Sequence, residues 1–214
     1  GETTLSRDTH IRAPAGAGKT FLALHLMLQA LRSDQSVCVL FVAQNEALAI
    51  FVARWIHTRV SRGGGGKESG GAGTLSRLHV LCGSGLDKHQ SVRVADGKLS
   101  LEAIEGEDVS YNLLVVDEAH HLYCREELVS KLETFATESV TVRLLLSDVS
   151  QSTAIEQTFG AKMQLVTLSE VVRSSQRIVE GARTFQTNDE EEGEKEFTKC
   201  HHEASGPPLR PILF

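Results

Sequence analysis

Apolar runs separated by glycine, acidic and amide-rich turns recur along this chain at the spacing of strands alternating with helices. THIRA (9–13) predicts a short strand running into a glycine-rich turn. In KTFLALHLMLQAL (19–31) the apolar residues fall almost all round the helical wheel, which predicts a buried helix. SVCVLFVA (36–43) is a continuous β-branched and apolar run, as a central strand requires. EALAIFVARWIHTRV (46–60) follows as a helix with Leu48, Phe51, Val52, Trp55 and Ile56 at helical spacing, which makes Trp55 a core residue. LSRLHVLCG (75–83) predicts a strand, and SVRVADGKLSL (91–101) alternates around Asp96-Gly97, a strong hairpin signal. YNLLVVDEAHHL (111–122) reads as a strand ending in acid. An amphipathic helix (125–136), two strands (139–148 and 162–168) and a helix from about Glu170 to Phe185 complete the pattern. Strands alternating with helices predict an α/β fold, a mostly parallel central sheet with helices on both faces.

Composition changes this picture only locally. Of 214 residues, 41% are hydrophobic and 23% charged, an ordinary globular mix. Aromatics are 5%, so the core must be built from Leu, Val, Ile and Ala. GGGGKESGGAG (63–73) has nothing to pack and reads as a flexible surface insertion. The net charge of −6 is concentrated in DEEEGEKE (189–196), six acids against one lysine, leaving the body close to neutral. The charge therefore neither indicates nor excludes a nucleic-acid surface. No apolar run approaches the ~20 residues of a membrane helix, and no basic leader precedes an apolar stretch, so no membrane role is expected. The four cysteines are widely spaced, free thiols are expected, and Cys38 and Cys82 fall in apolar runs that read as buried strands. Cys200-His201-His202 lacks a second ligand pair at zinc spacing. The chain opens at Gly1 rather than Met, as a segment of a longer protein would; an intracellular location, cytoplasm or nucleus, is the expectation.

Two segments carry chemistry. APAGAGKT (13–20), from Ala13 through Pro14, Ala15, Gly16, Ala17, Gly18 and Lys19 to Thr20, fits a phosphate-binding loop. The glycines let the backbone turn its amides inward, Lys19 supplies a cation to the β/γ oxygens, Thr20 a hydroxyl for Mg²⁺, and the new helix its positive end. An ordinary glycine-rich turn would explain the glycines but not a Lys-Thr pair opening an apolar helix directly after a strand. LLVVDEAHHL (113–122) places Asp117 and Glu118 where a buried strand emerges, the end at which open α/β sheets bind ligands. One carboxylate can hold Mg²⁺ and the next can orient an attacking water. An Asp at a strand end can also simply cap the following helix, a reading that loses ground beside a phosphate loop. His120 and His121 receive surface or packing roles.

With both motifs on one chain, the downstream residues resemble superfamily 1 helicases. LLLSDVSQS (144–152) is similar to their motif III, in which an Asp and a Gln three residues later sit beside the γ-phosphate; here these are Asp148 and Gln151. LSEVVRSSQRIVEGARTF (168–185) resembles motif IV, whose arginine reaches back as a finger, a role that falls to Arg173. VLFVAQNEALAIFVARWI (39–56) resembles the segment that contacts single-stranded nucleic acid. The resemblance spans about residues 9–186 in the family's motif order, and the ending HHEASGPPLRPILF resembles Schlafen-type more than UvrD/Rep-type helicase domains. DEAH (117–120) is the box of a superfamily 2 group, but the Ser-Ala-Thr that group carries after the next strand is replaced by Ser-Asp-Val-Ser-Gln.

The resemblance implies a RecA-like P-loop NTPase. Residues 1–168 would form the first lobe, and 169–214 the start of a truncated second lobe with an acidic linker. It implies an ATPase using ATP and Mg²⁺, with Lys19, Glu118, Gln151 and Arg173 catalytic, Thr20 and Asp117 on the metal, and Asp148 and the loop from Ala13 to Thr20 holding the nucleotide. Single-stranded nucleic acid is the expected partner of the longer protein, with DNA against RNA and any protein partner left open. No glutamine precedes the loop as an adenine reader, and without a complete second lobe this chain should not unwind a duplex. Two competitors remain: a nucleotide-dependent signalling switch, and a degenerate helicase fold serving only to bind. Intact Lys19, Asp117 and Glu118 oppose the second.

Overall fold

The computed structural model describes residues 5–63, 73–82, 86–104, 109–148, 163–172, 174–176, 178, 199–201 and 205. Eight strands form one sheet: β1 (Thr9–Ala13), β2 (Val39–Ala43), β3 (Leu78–Cys82), β4 (Lys88–Ala95), β5 (Lys98–Ala103), β6 (Tyr111–Val116), β7 (Val140–Asp148) and β8 (Gln164–Thr167). Their spatial order is β5-β4-β3-β2-β6-β7-β1-β8. Every neighbouring pair from β3 across to β8 is parallel, whereas β4 runs antiparallel to both β3 and β5. The α/β expectation, with a large, mostly parallel sheet, is met.

Helices α1 (Lys19–Ser33) and α2 (Glu46–Gly63) cover one face, and α3 (Ala119–Tyr123) with α4 (Glu126–Ser139) the other. The continuous apolar run of β2 is explained by this sandwiching, because successive side chains enter opposite cores. Val39, Phe41 and Ala43 pack with α1 and α2, whereas Leu40 and Val42 pack with α3 and α4. The predicted hairpin is present: Ala95 pairs with Lys98, and Asp96 (φ 51°) and Gly97 (φ 70°) form the two-residue turn with both φ values positive. Arg77 ties the carboxyl end of α1 to the entry of β2. Its guanidinium donates to the carbonyls of Leu31, Asp34 and Val37, each at 2.8 Å.

Several expectations are corrected. Helix α1 is not buried all round, since Phe21 is 55% exposed and Leu22 38%. Phe21 instead packs beside His25 and edge-on to a half-buried Trp55, over which Arg59 lies 4.9 Å from the ring centroid. Strand β2 begins only at Val39, because Asp34 turns the chain by accepting hydrogen bonds from the Ser36 amide and hydroxyl, so Cys38 lies outside the strand. The four cysteines are free thiols, and Cys82 is the one buried. Where the last helix was to start, Glu170–Val171 forms a short strand, β9, paired with β10 (Lys199–Cys200). The glycine-rich stretch 64–72 and the acidic run 189–196 lie outside the described residues.

Candidate active site

Sheet order decides which side chains meet. Strand β7 lies between β1 and β6, so the loop after β1, the acidic end of β6 and Asp148 at the end of β7 converge at one edge. Buried polar side chains concentrate here: Lys19, Asp117, His120, Ser147 and Asp148. Buried polar groups require partners, and the end of the strands is where open α/β sheets bind ligands.

The loop from Pro14 to Gly18 is shaped by local backbone constraints. The Ala17 amide donates to the Pro14 carbonyl at 3.2 Å, and Gly16 (φ 83°) and Gly18 (φ 92°) take left-handed conformations. Gly18 caps α1 without a side-chain hydrogen bond, which leaves the first-turn amides to an incoming anion. Lys19 is buried and folded onto its own loop. Its Nζ donates to the carbonyls of Ala13 at 2.8 Å and Pro14 at 3.1 Å, and stands 3.7 Å from Asp148 Oδ2.

Across β7, the Thr20 hydroxyl donates to Asp117 Oδ2 at 3.0 Å, and Asp117 Oδ1 accepts the Glu118 amide at 2.9 Å. Burial pushes the Asp117 carboxyl above its ordinary range, against the opposing pull of the Thr20 hydrogen bond. A hydroxyl oxygen beside a buried carboxylate suits a small divalent cation, whose charge would offset that desolvation. Glu118 has φ 51° and ψ 43°, a left-handed conformation that costs a non-glycine residue about 1–2 kcal/mol. Its Oε2 lies 3.5 Å from Nε2 of His120, whose Nδ1 accepts the Asp148 amide at 3.3 Å.

The structure thus brings Ala13 through Thr20, Asp117, Glu118 and Asp148 together. Gln151 and Arg173 lie outside the described residues, but Val172, immediately before Arg173, donates its amide to the Gly16 carbonyl at 3.1 Å. His120, given a surface or packing role by the sequence, is in the cluster; its place as the last residue of the DEAH stretch (117–120) was the signal that could have marked it. Among the described residues, Glu118, His120 and His121 also present ligand atoms within 4.8 Å of one another. A cavity of about 210 Å³ lined by Leu40, Leu81, Leu86, His89, Lys131 and Leu132 shares no residue with this site.

A parallel sheet with a lysine-bearing glycine loop at one strand end and an acidic pair at another defines the class of P-loop NTPases. The chain belongs to the family described as type III restriction enzyme, res subunit, a helicase-type family whose model matches residues 4–165. No curated protein sequence matches it significantly. Among solved structures, a hypothetical ATP-dependent RNA helicase from Sulfolobus tokodaii is 14% identical with a TM-score of 0.46, over 83% of this chain and 56% of that one. The Hef helicase domain of Pyrococcus furiosus is 13% identical with a TM-score of 0.43, over 76% of this chain and 35% of that one. The chain therefore spans little more than half of the first and about a third of the second.

Proposed function

We propose that this chain binds ATP with Mg²⁺ and hydrolyses it as the first motor lobe of a superfamily 1 type helicase acting on single-stranded nucleic acid. The observation that carries the reading is the convergence of Lys19, Thr20, Asp117, Glu118 and Asp148 across β1, β7 and β6. Lys19 exchanges its loop carbonyls for the β/γ oxygens. Thr20 and Asp117 would hold Mg²⁺, which would neutralise phosphate charge. Glu118 orients the attacking water, and Asp148 with Gln151 registers the γ-phosphate. Arg173 stabilises developing charge once a second lobe closes. Residues 1–168 form the first lobe and 169–214 open the second. The Asp148-x-x-Gln151 spacing supports the superfamily 1 assignment.

The test is steady-state ATP hydrolysis by the full-length protein, with and without single-stranded DNA or RNA. Strong stimulation that disappears in Glu118→Gln, with Mg-ATP binding retained, is the expected result. Turnover at the parental rate in that variant refutes the water-orienting role. The near-neutral body keeps a nucleotide-dependent switch as the second reading; it predicts ATP binding with slow turnover indifferent to nucleic acid.

A further inference from the structure

We propose that the cavity between α4 and the β3–β4 edge of the sheet binds a small monoanion with an apolar body, a short-chain or aromatic monocarboxylate. The cavity shares no residue with the phosphate site, so this second site stands apart from the ATP-hydrolysis reading.

Its lining is mostly leucine. Leu40 of β2 and Leu132 of α4 are buried, and Leu81 of β3 and Leu86, two residues before β4, are half-buried against the same core. His89 of β4 and Lys131 of α4 complete the lining. Apolar hollows stay dry and take up apolar guests: one of about 150 Å³ accepts benzene. The volume here, about 210 Å³, therefore has room for about eight non-hydrogen atoms.

The polar groups decide the charge of the guest. Tyr111 is 1% exposed, and its hydroxyl lies 2.7 Å from His79 Nδ1 and 2.6 Å from His89 Nε2. The Ser76 carbonyl, 3.2 Å from His79 Nε2, can only accept, so that nitrogen carries the hydrogen and Nδ1 the lone pair. The Tyr111 hydroxyl accordingly donates to His79, and its oxygen accepts from His89 Nε2. This chain of hydrogen bonds sets the His89 ring as a neutral wall, in keeping with the burial and, secondarily, the His79 charge that lower its pKa. Lys131 is then the one cation of the lining, and none of the other five residues is acidic. Among the described residues its ammonium has no hydrogen-bond or ion-pair partner. One cation beside four leucines selects one negative charge carried on an apolar body.

The backbone of Leu86 is a second, independent observation. Its φ of 51° is left-handed, a conformation that glycine takes freely and that a branched side chain opposes. Strain of this kind persists where the surroundings hold it and gathers at ligand clamps. A leucine at this φ is accounted for by the wall that its side chain supplies to the cavity.

The test is an NMR titration of leucine-methyl-labelled full-length protein with hexanoate, hexanol and acetate. Hexanoate should shift the methyl signals of Leu40, Leu81, Leu86 and Leu132 saturably. Hexanol, the same body without the charge, should bind about fivefold more weakly, as befits the loss of a partly exposed ion pair. Acetate, the charge without the body, should leave the signals in place. Lys131→Gln should weaken hexanoate about fivefold and leave hexanol unaffected. Leu86→Gly relieves the backbone, so Tm should hold or rise while hexanoate affinity falls on the order of tenfold. Absence of saturable shifts at these leucines overturns the site. Equal affinity for hexanoate and hexanol, or hexanoate binding unchanged in Lys131→Gln, overturns the anionic ligand class. Unchanged hexanoate binding with a lowered Tm in Leu86→Gly assigns Leu86 to packing and overturns its part in the site.

Discussion

Acid should loosen the register beneath the active site through one buried histidine. His10 lies in β1, is 5% exposed, and has Nε2 2.7 Å from the Ser147 hydroxyl of β7. Burial, and secondarily the Arg12 charge, lowers its pKa from 6.5 to about 4. The charged form is disfavoured in the folded state, so on acidification the unfolded chain takes up this proton first. The contribution is therefore complete above pH 6.5 and is lost as the pH falls from 6.5 through 4. Full protonation corresponds to about 3 kcal/mol, and at about pH 5.5 the loss is already about 1.4 kcal/mol. With a urea slope of about 2 kcal/mol per molar, that moves the unfolding midpoint by about 0.7 M. The assay is urea unfolding of wild type and His10→Gln near pH 7.5 and pH 5.5. Other titrating groups, His89 among them with a pKa also lowered by burial, are common to both proteins and cancel in the difference. Wild type should lose about 1.4 kcal/mol more than the variant across that interval. Equal pH dependence in the two proteins would show that His10 is not held neutral and would refute the argument.

Further tests follow from the same contacts. Lys19→Ala removes the buried ammonium and should weaken Mg-ATP binding on the order of 100-fold or more in a fluorescent-nucleotide titration; unchanged affinity dismisses the phosphate-loop assignment. Arg77→Ala leaves the carbonyls of Leu31, Asp34 and Val37 without their common donor and should cost about 2 kcal/mol, or about 6 °C in Tm. Arg77→Lys should not restore this loss, since a single ammonium does not span three divergent acceptors. At Gly97 a Cβ would meet nothing within 4 Å, so the cost of Gly97→Ala is backbone strain alone, about 1 kcal/mol by denaturant unfolding. Gly97→Asn should cost less, because asparagine tolerates positive φ.

What the sequence displayed was local chemistry. The loop from Ala13 to Thr20, the acidic end of β6 and the Asp96-Gly97 turn each depend on a few adjacent residues, and each stands where the pattern placed it. What it hid depends on distance. The apolar wheel of α1 does not say which face meets the sheet, so Phe21 and Leu22 read as buried although they face outward. Glu170 and Val171 read as helix because the competing partner, Lys199–Cys200, lies nearly thirty residues away and pairs only in the folded chain. The surroundings of His120 needed three coordinates at once: its own ring, the Glu118 carboxylate and an amide at the end of another strand.

Strand lengths complete the account of why these residues form a site. In the β6–β7 register Val116 stands opposite Leu145, whereas Asp148 stands opposite Ala13 of β1. Strand β7 therefore continues past the end of β6, by about 10 Å at the usual rise per residue. That offset opens a notch above β6, walled on one side by the last residues of β7 and roofed by the loop that follows β1. Helix α1 starts beside the notch, so Thr20 reaches across β7 to Asp117 while Lys19 reaches Asp148. A β6 longer by two or three residues would carry Asp117 and Glu118 up to the level of Asp148 and close the notch. The early end of β6 at Val116, followed by the left-handed turn at Glu118, keeps Asp117 and Glu118 short of the level that Asp148 reaches. The same turn leaves Glu118 Oε2 3.5 Å from His120 Nε2, and the Nδ1 of that ring accepts the Asp148 amide at 3.3 Å.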